Sequence, residues 1–436
     1  MRTIRKILAF CLLVSLLSSC NEKKQTSWLK IIPQGGNPEL VANLAELTNP
    51  CRNSENYIPD KDNLDHTSFK RIKCNFHVIR NKDGKYNFSE EEGVKYIKAM
   101  VSSANATTRK NYKMKLPVGN NTPVIPARYQ IDIWPTDYIP GDDGIYFHDD
   151  DDFYYVINHG PKKNIFERDV FEKYGIQKDS VVNVFLQDIH KDSLNSKSYN
   201  PTSNGVAFST WIKGGLWYHC ATDTVYQNGK AETPLKYRPA KQLNHELGHV
   251  LSLAHAWGRD NCDDTPPHSN CFSSKGDGEC KVASNNIMDY NANMSALTPC
   301  QLGRINKSVL TNPKKRNLLI KDWCKSNPYF DINIKEDFIW NSCKTVQGNL
   351  TIHDGARLVI RCETSFGKGA VITVHPKGEL VLQGARLFND CGETWEGIKV
   401  LGNGNEKGKV SYLGNSNKVE HCRRELILSS EGEALP

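Results

Sequence analysis

Three histidines and a glutamate within residues 245–255 constrain the fold of this chain more than any other feature. His245 and His249 are four residues apart, so on a helix both imidazoles lie on one face, one turn apart. Two such nitrogens can bind one zinc ion, and Glu246 is the usual general base in an HExxH pattern. His255 offers a third ligand, but on an unbroken helix it would lie about 9 Å beyond His249. The interpretation therefore requires the helix to end near Ser252 and the chain to turn back.

A surface helix with hydrogen-bonded histidines is the alternative interpretation of this stretch. Histidine is scarce in the chain, with 13 among 436 residues, and three of them fall within these eleven positions. This concentration favours a metal site.

Length and charge limit the class of protein. A chain of 436 residues suggests two or three domains, and 38% hydrophobic with 24% charged residues is typical of a globular protein. Three of the positive charges behind the net charge of +7 belong to Arg2, Arg5 and Lys6, at the extreme N-terminus. The rest of the chain is too weakly basic to indicate binding to nucleic acid.

The first twenty residues have the pattern of an export signal. A basic start is followed by an apolar run over residues 7–17, which is too short to span a bilayer comfortably. The run ends in Leu17-Ser18-Ser19-Cys20, which resembles the lipobox of bacterial lipoproteins, in which the cysteine is lipidated. An ordinary cleaved secretion signal is the alternative. Both predict export, and the lipobox further predicts attachment to the membrane, at the outer membrane or the cell surface, through lipid on Cys20.

Cysteine usage agrees with export. Of 14 cysteines, Cys11 and Cys20 lie in the signal, and the remaining even number is typical of disulfides. A second, structural zinc site is the competing interpretation, but no CxxC pair occurs. Cys51 is expected to form a plain disulfide, with Cys74 as a candidate partner, or to act on the zinc as a latency switch.

Several strands and one helix are predicted before the histidine stretch. Cap residue Ser89, followed by three glutamates, is typical of a helix start. The short glycine-flanked segments at 205–208 and 215–218 are candidates for an edge strand along which an extended peptide pairs. Further strands are predicted at residues 74–79, 129–134 and 181–186. This order predicts a mixed sheet packed on helices.

Three motifs after the histidines narrow the interpretation. They are Asp264-Thr265-Pro266, Met288-Asp289-Tyr290, and a segment with Thr298, Pro299 and Gln301. An HExxHxxxxxH pattern followed by a methionine-centred turn resembles the metzincin clan of zinc endopeptidases. The other two motifs, with Phe76-His77-Val78 as a first strand, resemble the pappalysin family within that clan. The resemblance covers roughly residues 55–325.

This resemblance implies a role for each matching residue. His245, His249 and His255 are then the zinc ligands, and Glu246 takes a proton from the attacking water and delivers it to the leaving amine. Met288 lies beneath the metal, and Tyr290 stabilises the developing oxyanion; a core tyrosine is the alternative. Structural calcium is a further expectation, for which the available acids are Asp263, Asp264 and Asp277.

Ser252 is the one departure from the metzincin pattern, which has glycine three residues after the second histidine. A residue with a Cβ adopts left-handed backbone angles at a cost of roughly 1 kcal/mol or more. A formed zinc site contributes on the order of 10 kcal/mol, so the turn is expected to form at Ser252.

The C-terminal region has a different pattern, in which short apolar alternations recur. Leu350 and Ile352 recur 22 residues later as Ile372 and Val374, and residues 358 and 360 recur as 380 and 382. Two copies at a fixed period predict a β-solenoid or a small β-sandwich, although a solenoid needs about three repeats to be stable.

Together these patterns predict an α+β metzincin-type catalytic domain followed by an all-β region. The expected divisions are a signal peptide at 1–20, a tether and lead-in at 21–70, the catalytic domain at 71–325 and the β-rich region at 326–436. The predicted function is that of an exported, lipid-anchored zinc endopeptidase acting on proteins or peptides. The alternatives are a surface adhesin on a degenerate protease scaffold, whose β region binds a cell-surface or matrix partner, and a zinc hydrolase of another substrate class.

Overall fold

The computed structural model describes residues 25–28 and 51–424, except 52, 85–86, 138, 158–160, 190–204, 215–236, 270, 272–277, 292 and 404. An α+β region and an all-β region follow each other along the chain, as predicted. The predicted strand at 215–218 and the residues Cys20 and Asp277 lie outside the described part.

The α+β region alternates strands with helices. The strand β1 (Gln25–Trp28) comes earlier in the chain and pairs with the other region. The elements of the α+β region are, in chain order, β2 (Lys70–Arg80), α1 (Glu90–Lys110), β3 (Tyr129–Ile133), β4 (Ile145–Asp149), β5 (Tyr155–Val156), α2 (Asp169–Tyr174), β6 (Val182–Leu186), β7 (Asp188–Ile189), β8 (Gly205–Ala207), β9 (Trp211–Gly214), α3 (Tyr237–Val250), α4 (Pro299–Thr311) and α5 (Pro313–Arg316).

A mixed sheet in the order β3-β2-β6-β9-β8 forms the centre of this region. The long strand β2 pairs with β3 through its first half and with β4 through its second half, in both cases in parallel. Only β8 runs antiparallel to its neighbour, β9, and it lies at the end of the sheet. The sheet therefore presents an antiparallel strand at one edge, and this strand contacts α3.

Helix α1 shows how the sequence specifies the packing. Ser89 and Glu92 form a capping box, and Glu90 and Glu91 complete an acidic first turn, which the helix dipole favours. Apolar residues three and four positions apart, Ile97, Val101 and Ala104, are buried on one face against the sheet and α3. Phe185 and Trp211 lie in a second buried cluster with Phe171 of α2, so helices are packed on the sheet through two separate apolar clusters.

The all-β region is a solenoid with three parallel sheets. Its strands are β10 (Ile332–Ile334), β11 (Phe338–Trp340), β12 (Lys344–Val346), β13 (Leu350–Ile352), β14 (Arg357–Ile360), β15 (Glu363–Phe366), β16 (Val371–Val374), β17 (Glu379–Gln383), β18 (Arg386–Phe388), β19 (Gly397–Asn403), β20 (Glu406–Lys407), β21 (Lys409–Leu413) and β22 (Lys418–Val419). A rung consists of one strand from each sheet, and four rungs are described, the first being β10, β11 and β12. Strand β1 adds to the edge of the last rung, antiparallel to β19.

The 22-residue period is confirmed by the register, because Leu350 pairs with Ile372 and Leu358 with Leu380. The count of two repeats was wrong. The first rung does not follow the 22-residue period, because its strands precede their neighbours by 18 to 20 residues, as in the pairing of Ile332 with Leu350. The period therefore did not reveal it. The last rung contains longer turns and the extra strand β20, so β18 and β22 are 32 residues apart.

Four disulfides occur among the described residues. Cys262–Cys300 and Cys271–Cys280 brace the segment between α3 and α4, and Cys324–Cys391 joins the end of the α+β region to the solenoid. The expected partner of Cys51 was wrong: Cys51 bonds to Cys362 in the solenoid, and Cys74 is a buried thiol in β2. A cysteine switch by Cys51 is likewise not seen, since its sulfur is in this disulfide.

Among the helices that the structure describes, none is both long enough and apolar enough to cross a bilayer.

Candidate metal centre

The three histidines converge on one point. His245 and His249 extend from successive turns of α3, and their Nε2 atoms are 3.2 Å apart. The Nε2 atom of His255 is also 3.2 Å from that of His249. Within the part of the chain that the structure describes, these three side chains form a group whose ligand atoms could hold one metal ion.

The predicted helix break occurs at Ser252, which has a φ of 76°. The amide of Leu253 donates to the carbonyl of Gly248 at 2.9 Å, and the amide of Ser252 donates to that of His249 at 2.9 Å. This pair of bonds is the Schellman motif, which ends a helix with one left-handed residue. Serine therefore makes the turn that glycine makes in the family pattern, and the turn returns His255 to its partners.

The residues fit a zinc ion. Tetrahedral zinc with Zn–N distances of about 2.0–2.1 Å separates its nitrogen ligands by about 3.3 Å, close to the two separations of 3.2 Å. Nδ1 of His245 lies 2.7 Å from the carbonyl oxygen of Ile287, and Nδ1 of His249 lies 2.9 Å from that of Leu253. Such bonds place the proton on Nδ1 and leave Nε2 free to bind a metal.

Burial keeps these imidazoles neutral, as metal ligands must be. It lowers the pKa of His245 to about 3 and that of His255 to about 4, and it also lowers the pKa of His249. Three unprotonated nitrogens without hydrogens between them repel one another, so a cation among them stabilises the arrangement.

Met288 lies beneath the metal ligands, in the place that the resemblance implies. It is fully buried, and a Cβ on Gly248 would overlap its sulfur, so glycine in α3 permits this close contact. The carbonyl of Met288 accepts from the amide of Ala256, next to His255, at 3.1 Å. The carbonyl of Ile287 also contacts His245. The turn around Met288 therefore positions two of the three histidines, His245 directly and His255 through its neighbour Ala256.

A buried amide network supports the turn, and sequence analysis did not assign this role. The side chain of Asn286 accepts from the amide of Met288 at 2.7 Å and donates to Gln301 at 2.9 Å. Gln301 in turn completes a capping box with Thr298 at the start of α4. The sequence predicts a helix-like segment from Pro299 and a family motif with Thr298 and Gln301, and the capping pattern of Thr298 and Gln301 is the signal for this further role.

Tyr290 and Trp257 form the aromatic side of the centre. The ring of Tyr290 lies 4.9 Å from that of His255, and burial together with the nearby Glu246 raises its pKa, so the hydroxyl stays protonated. The indole of Trp257 stacks on His255 with ring centroids 5.2 Å apart. Trp257 was missed in the sequence analysis; its position two residues after a ligand was the available signal.

Glu246 is buried beside the edge strand. It is only 5% exposed, and a Cβ placed on Gly205 of β8 would lie 2.5 Å from its Oε1 atom and closer still to the amide nitrogen of Gln242. Burial raises the pKa of Glu246 to about 8. A dication held by the neighbouring histidines would favour the ionised form and oppose this shift.

Two of the acids predicted to bind calcium, Asp263 and Asp264, lie in the described part of the chain. Asp264 accepts from the hydroxyl of Thr298 at 2.7 Å and from the amide of Cys300 at 3.0 Å, so it caps α4. Asp263 is exposed. The sulfurs of Cys262 and Cys300 lie close to the carboxylate of Asp264, but they are bonded to each other in a disulfide. Calcium stays a prediction.

Comparison with known families identifies the region that carries this centre. Residues 164–310 match the model of the M43 peptidase family, described as pregnancy-associated plasma protein-A. Over these residues the chain is similar to the pappalysin family of metzincin peptidases. The match includes all three histidines, Glu246 and the turn around Met288, and it is narrower than the resemblance over residues 55–325. The predicted enzyme class, a zinc metalloendopeptidase, is confirmed.

Solved structures similar to this chain include two of mirolysin from Tannerella forsythia. Mature mirolysin in complex with a cleaved peptide is 18% identical, with a TM-score of 0.40, over 58% of this chain and 97% of that chain. A promirolysin mutant is also 18% identical, with a TM-score of 0.40, over 65% of this chain and 96% of that chain. No curated protein sequence matches the chain.

Proposed function

We propose that this chain is an exported, lipid-anchored endopeptidase that hydrolyses peptide bonds with zinc held by His245, His249 and His255. The main observation in support is that the Nε2 atoms of His245 and His255 each lie 3.2 Å from the Nε2 atom of His249. A buried carboxylate, that of Glu246, and an edge strand lie beside them. This arrangement supports hydrolysis rather than a purely structural metal site, because three protein ligands leave a fourth position open.

The side chains divide the chemistry among them. Zinc, when bound, supplies a positive charge that polarises a carbonyl and makes a water more acidic. Glu246 accepts the proton of the attacking water and returns it to the leaving nitrogen. Tyr290 is protonated and donates a hydrogen bond to the oxygen on which negative charge develops.

Strand β8 is the proposed support for the substrate. It pairs with β9 on one side and contacts α3, so an extended peptide could pair along its other side. Gly205 brings this backbone against Glu246, because any larger residue would overlap the carboxylate. A peptide bond held along β8 would therefore lie within reach of the base.

Cleavage of casein by the purified chain tests the catalytic assignment. We expect cleavage that a zinc chelator abolishes, and a Glu246→Gln variant that retains zinc but loses activity by a factor of at least about 10³, because the base is lost. Glu91→Gln is the matched control, since Glu91 lies on the exposed surface of α1 and pairs with Lys95. Cleavage that is equal in Glu246→Gln and the parent, and that the chelator leaves unchanged, would refute the proposal and favour the adhesin alternative.

The lipid anchor is supported by the lipobox at Cys20 alone, which lies outside the described residues. Strand β1, which lies within the predicted tether and lead-in at 21–70, pairs with the last rung of the solenoid. Labelling with a radioactive fatty acid in a bacterial host tests the anchor. We expect labelled membrane protein from the parent and unlabelled protein from Cys20→Ala; label in both would contradict the assignment.

A further inference from the structure

Three cysteine sulfurs meet where the lead-in segment contacts the solenoid. Cys51 is bonded to Cys362, and the thiol of Cys343 lies 2.9 Å from the sulfur of Cys362. All three sulfur atoms lie within 4.8 Å of one another. A thiol in contact with a disulfide sulfur is placed for thiol–disulfide exchange, which proceeds by attack of a thiolate on one of the two sulfurs.

We infer that Cys51, Cys343 and Cys362 form a thiol–disulfide exchange site, in which Cys362 pairs with either of the other two. Attack of the Cys343 thiolate on the sulfur of Cys362 forms the Cys343–Cys362 bond and breaks the Cys51–Cys362 bond. Cys51 leaves as a thiolate and takes up the proton that Cys343 lost. The number of disulfides is unchanged, so the step needs no oxidant or reductant.

Backbone contacts hold both partners beside Cys362, independently of the sulfur chemistry. Lys344 of β12 pairs with Thr364 of β15, which places Cys343 and Cys362 one rung apart at the starts of adjacent strands. The amide of Cys343 donates to the carbonyl of Asn56 at 2.7 Å, so the lead-in that carries Cys51 rests on the same rung.

A cavity of about 290 Å³ gives access to this site. Cys343 and Tyr57 line it, with charged side chains from both regions around them, among them Arg316 and Asp390. Burial raises the pKa of Cys343 to about 12, and a hydrogen bond with Tyr57 acts in the opposite direction. The thiol is therefore protonated at neutral pH and exchanges slowly, so a small thiol that enters the cavity is expected to accelerate the exchange.

The two pairings differ in what they connect. The lead-in packs on α4, where Gly303 lies against the backbone of Ser54 and Asn306 donates to the carbonyl of Tyr57. The Cys51–Cys362 bond therefore ties a segment held by the catalytic region to the solenoid. The Cys343–Cys362 bond lies within the solenoid and removes this covalent link between the two regions.

Peptide mapping of the full exported chain tests the inference. Free thiols are trapped with N-ethylmaleimide before and after incubation in a buffer of reduced and oxidised glutathione, and linked peptides are identified by mass spectrometry. We expect a Cys51–Cys362 peptide at the start and a Cys343–Cys362 peptide after incubation. Cys51→Ser should contain the Cys343–Cys362 bond throughout, and Cys343→Ser only the Cys51–Cys362 bond.

Cys74→Ser is the matched control, because it removes a buried thiol of β2 and should leave the map unchanged. The inference is overturned if Cys343 and Cys362 both remain alkylated in Cys51→Ser under oxidising conditions. It is also overturned if the parent binds a second metal ion that Cys343→Ser loses, since the three sulfurs would then be metal ligands. Should Cys51→Ser fail to fold, the glutathione experiment on the parent and Cys343→Ser decides the question.

Discussion

The metal centre and the solenoid lie in one chain but are specified in opposite ways. At the centre, each important residue has a partner of its own: His245 contacts the carbonyl of Ile287, His249 that of Leu253, and Ser252 alone makes the turn. In the solenoid, equivalent residues stack in register, as Leu358 does on Leu380. One part depends on individual contacts and the other on repetition.

This difference predicts different responses to mutation. A repeated core distributes its stability over neighbouring rungs, so one substitution weakens it in proportion to the apolar volume lost. A site built from single contacts loses its function when one contact is lost, while most of the fold remains. The following variants test this difference between the two regions, in order of decreasing expected effect.

His249→Ala is expected to have the largest effect. It removes the ligand that lies 3.2 Å from each of the other two, so zinc binding should be lost and casein cleavage should fall by at least about 10³-fold. Metal analysis and the cleavage rate measure the two losses. His375→Ala in the solenoid is the control, and an equal loss in that variant would remove the contrast between the regions.

Leu380→Ala tests the repeated core. Leu380 is fully buried between neighbouring rungs, and its truncation should lower the free energy of unfolding by about 3 kcal/mol. Denaturant unfolding measures the change, and kcat/KM should stay at the parent value. The counterpart Leu247→Ala in α3 should reduce both stability and kcat/KM, because Leu247 lies next to Glu246 on the same helix. A matching loss of activity in Leu380→Ala would show that the solenoid core supports catalysis.

Gly205→Ala tests the contact between β8 and the base. The added Cβ would lie 2.5 Å from Glu246 Oε1, so the strand or the carboxylate must move. We expect kcat/KM to fall by about 100-fold with a small change in the melting temperature. In the control Gly258→Ala, the added Cβ meets only the carbonyl oxygen of His255 at 3.6 Å, and activity should be retained. Unchanged activity in Gly205→Ala would count against β8 as the substrate strand.

Ser252→Gly should have the smallest effect. Ser252 has a φ of 76°, which glycine adopts without strain, so the replacement should stabilise the fold by roughly 1 kcal/mol or less. The gain is reduced by loss of the 2.8 Å contact between the hydroxyls of Ser252 and Ser308. Thermal unfolding measures the difference. A lower melting temperature in Ser252→Gly would mean that the hydroxyl contact stabilises the fold by more than the left-handed backbone of serine destabilises it.

Local motifs made the metal centre predictable from the sequence. The spacing of His245, His249 and His255 required a helix break, and Ser252 was the position expected to provide it. The supporting contacts were not predictable in the same way. The network from Asn286 to Gln301 and the approach of Gly205 to Glu246 join residues far apart in the chain, and no periodicity marks such contacts.

The solenoid shows the limit of period-based prediction. Equal turn lengths made the two middle rungs visible, whereas shorter and longer turns hid the first and last. The disulfide from Cys51 to Cys362 crosses 311 positions, so sequence proximity wrongly favoured Cys74 as the partner. Parallel strands and disulfides are set by three-dimensional proximity, which the number of intervening residues does not reveal.

X-ray absorption at the zinc edge of the active full-length chain tests whether the three histidines hold the catalytic metal. We expect one zinc per chain, with imidazole nitrogens at about 2.0 Å and no sulfur ligand. The signal should disappear together with casein cleavage on chelation. Sulfur at about 2.3 Å would place the metal at the cysteine cluster, and cleavage that persists after the zinc is removed would contradict the histidine centre as the catalytic site.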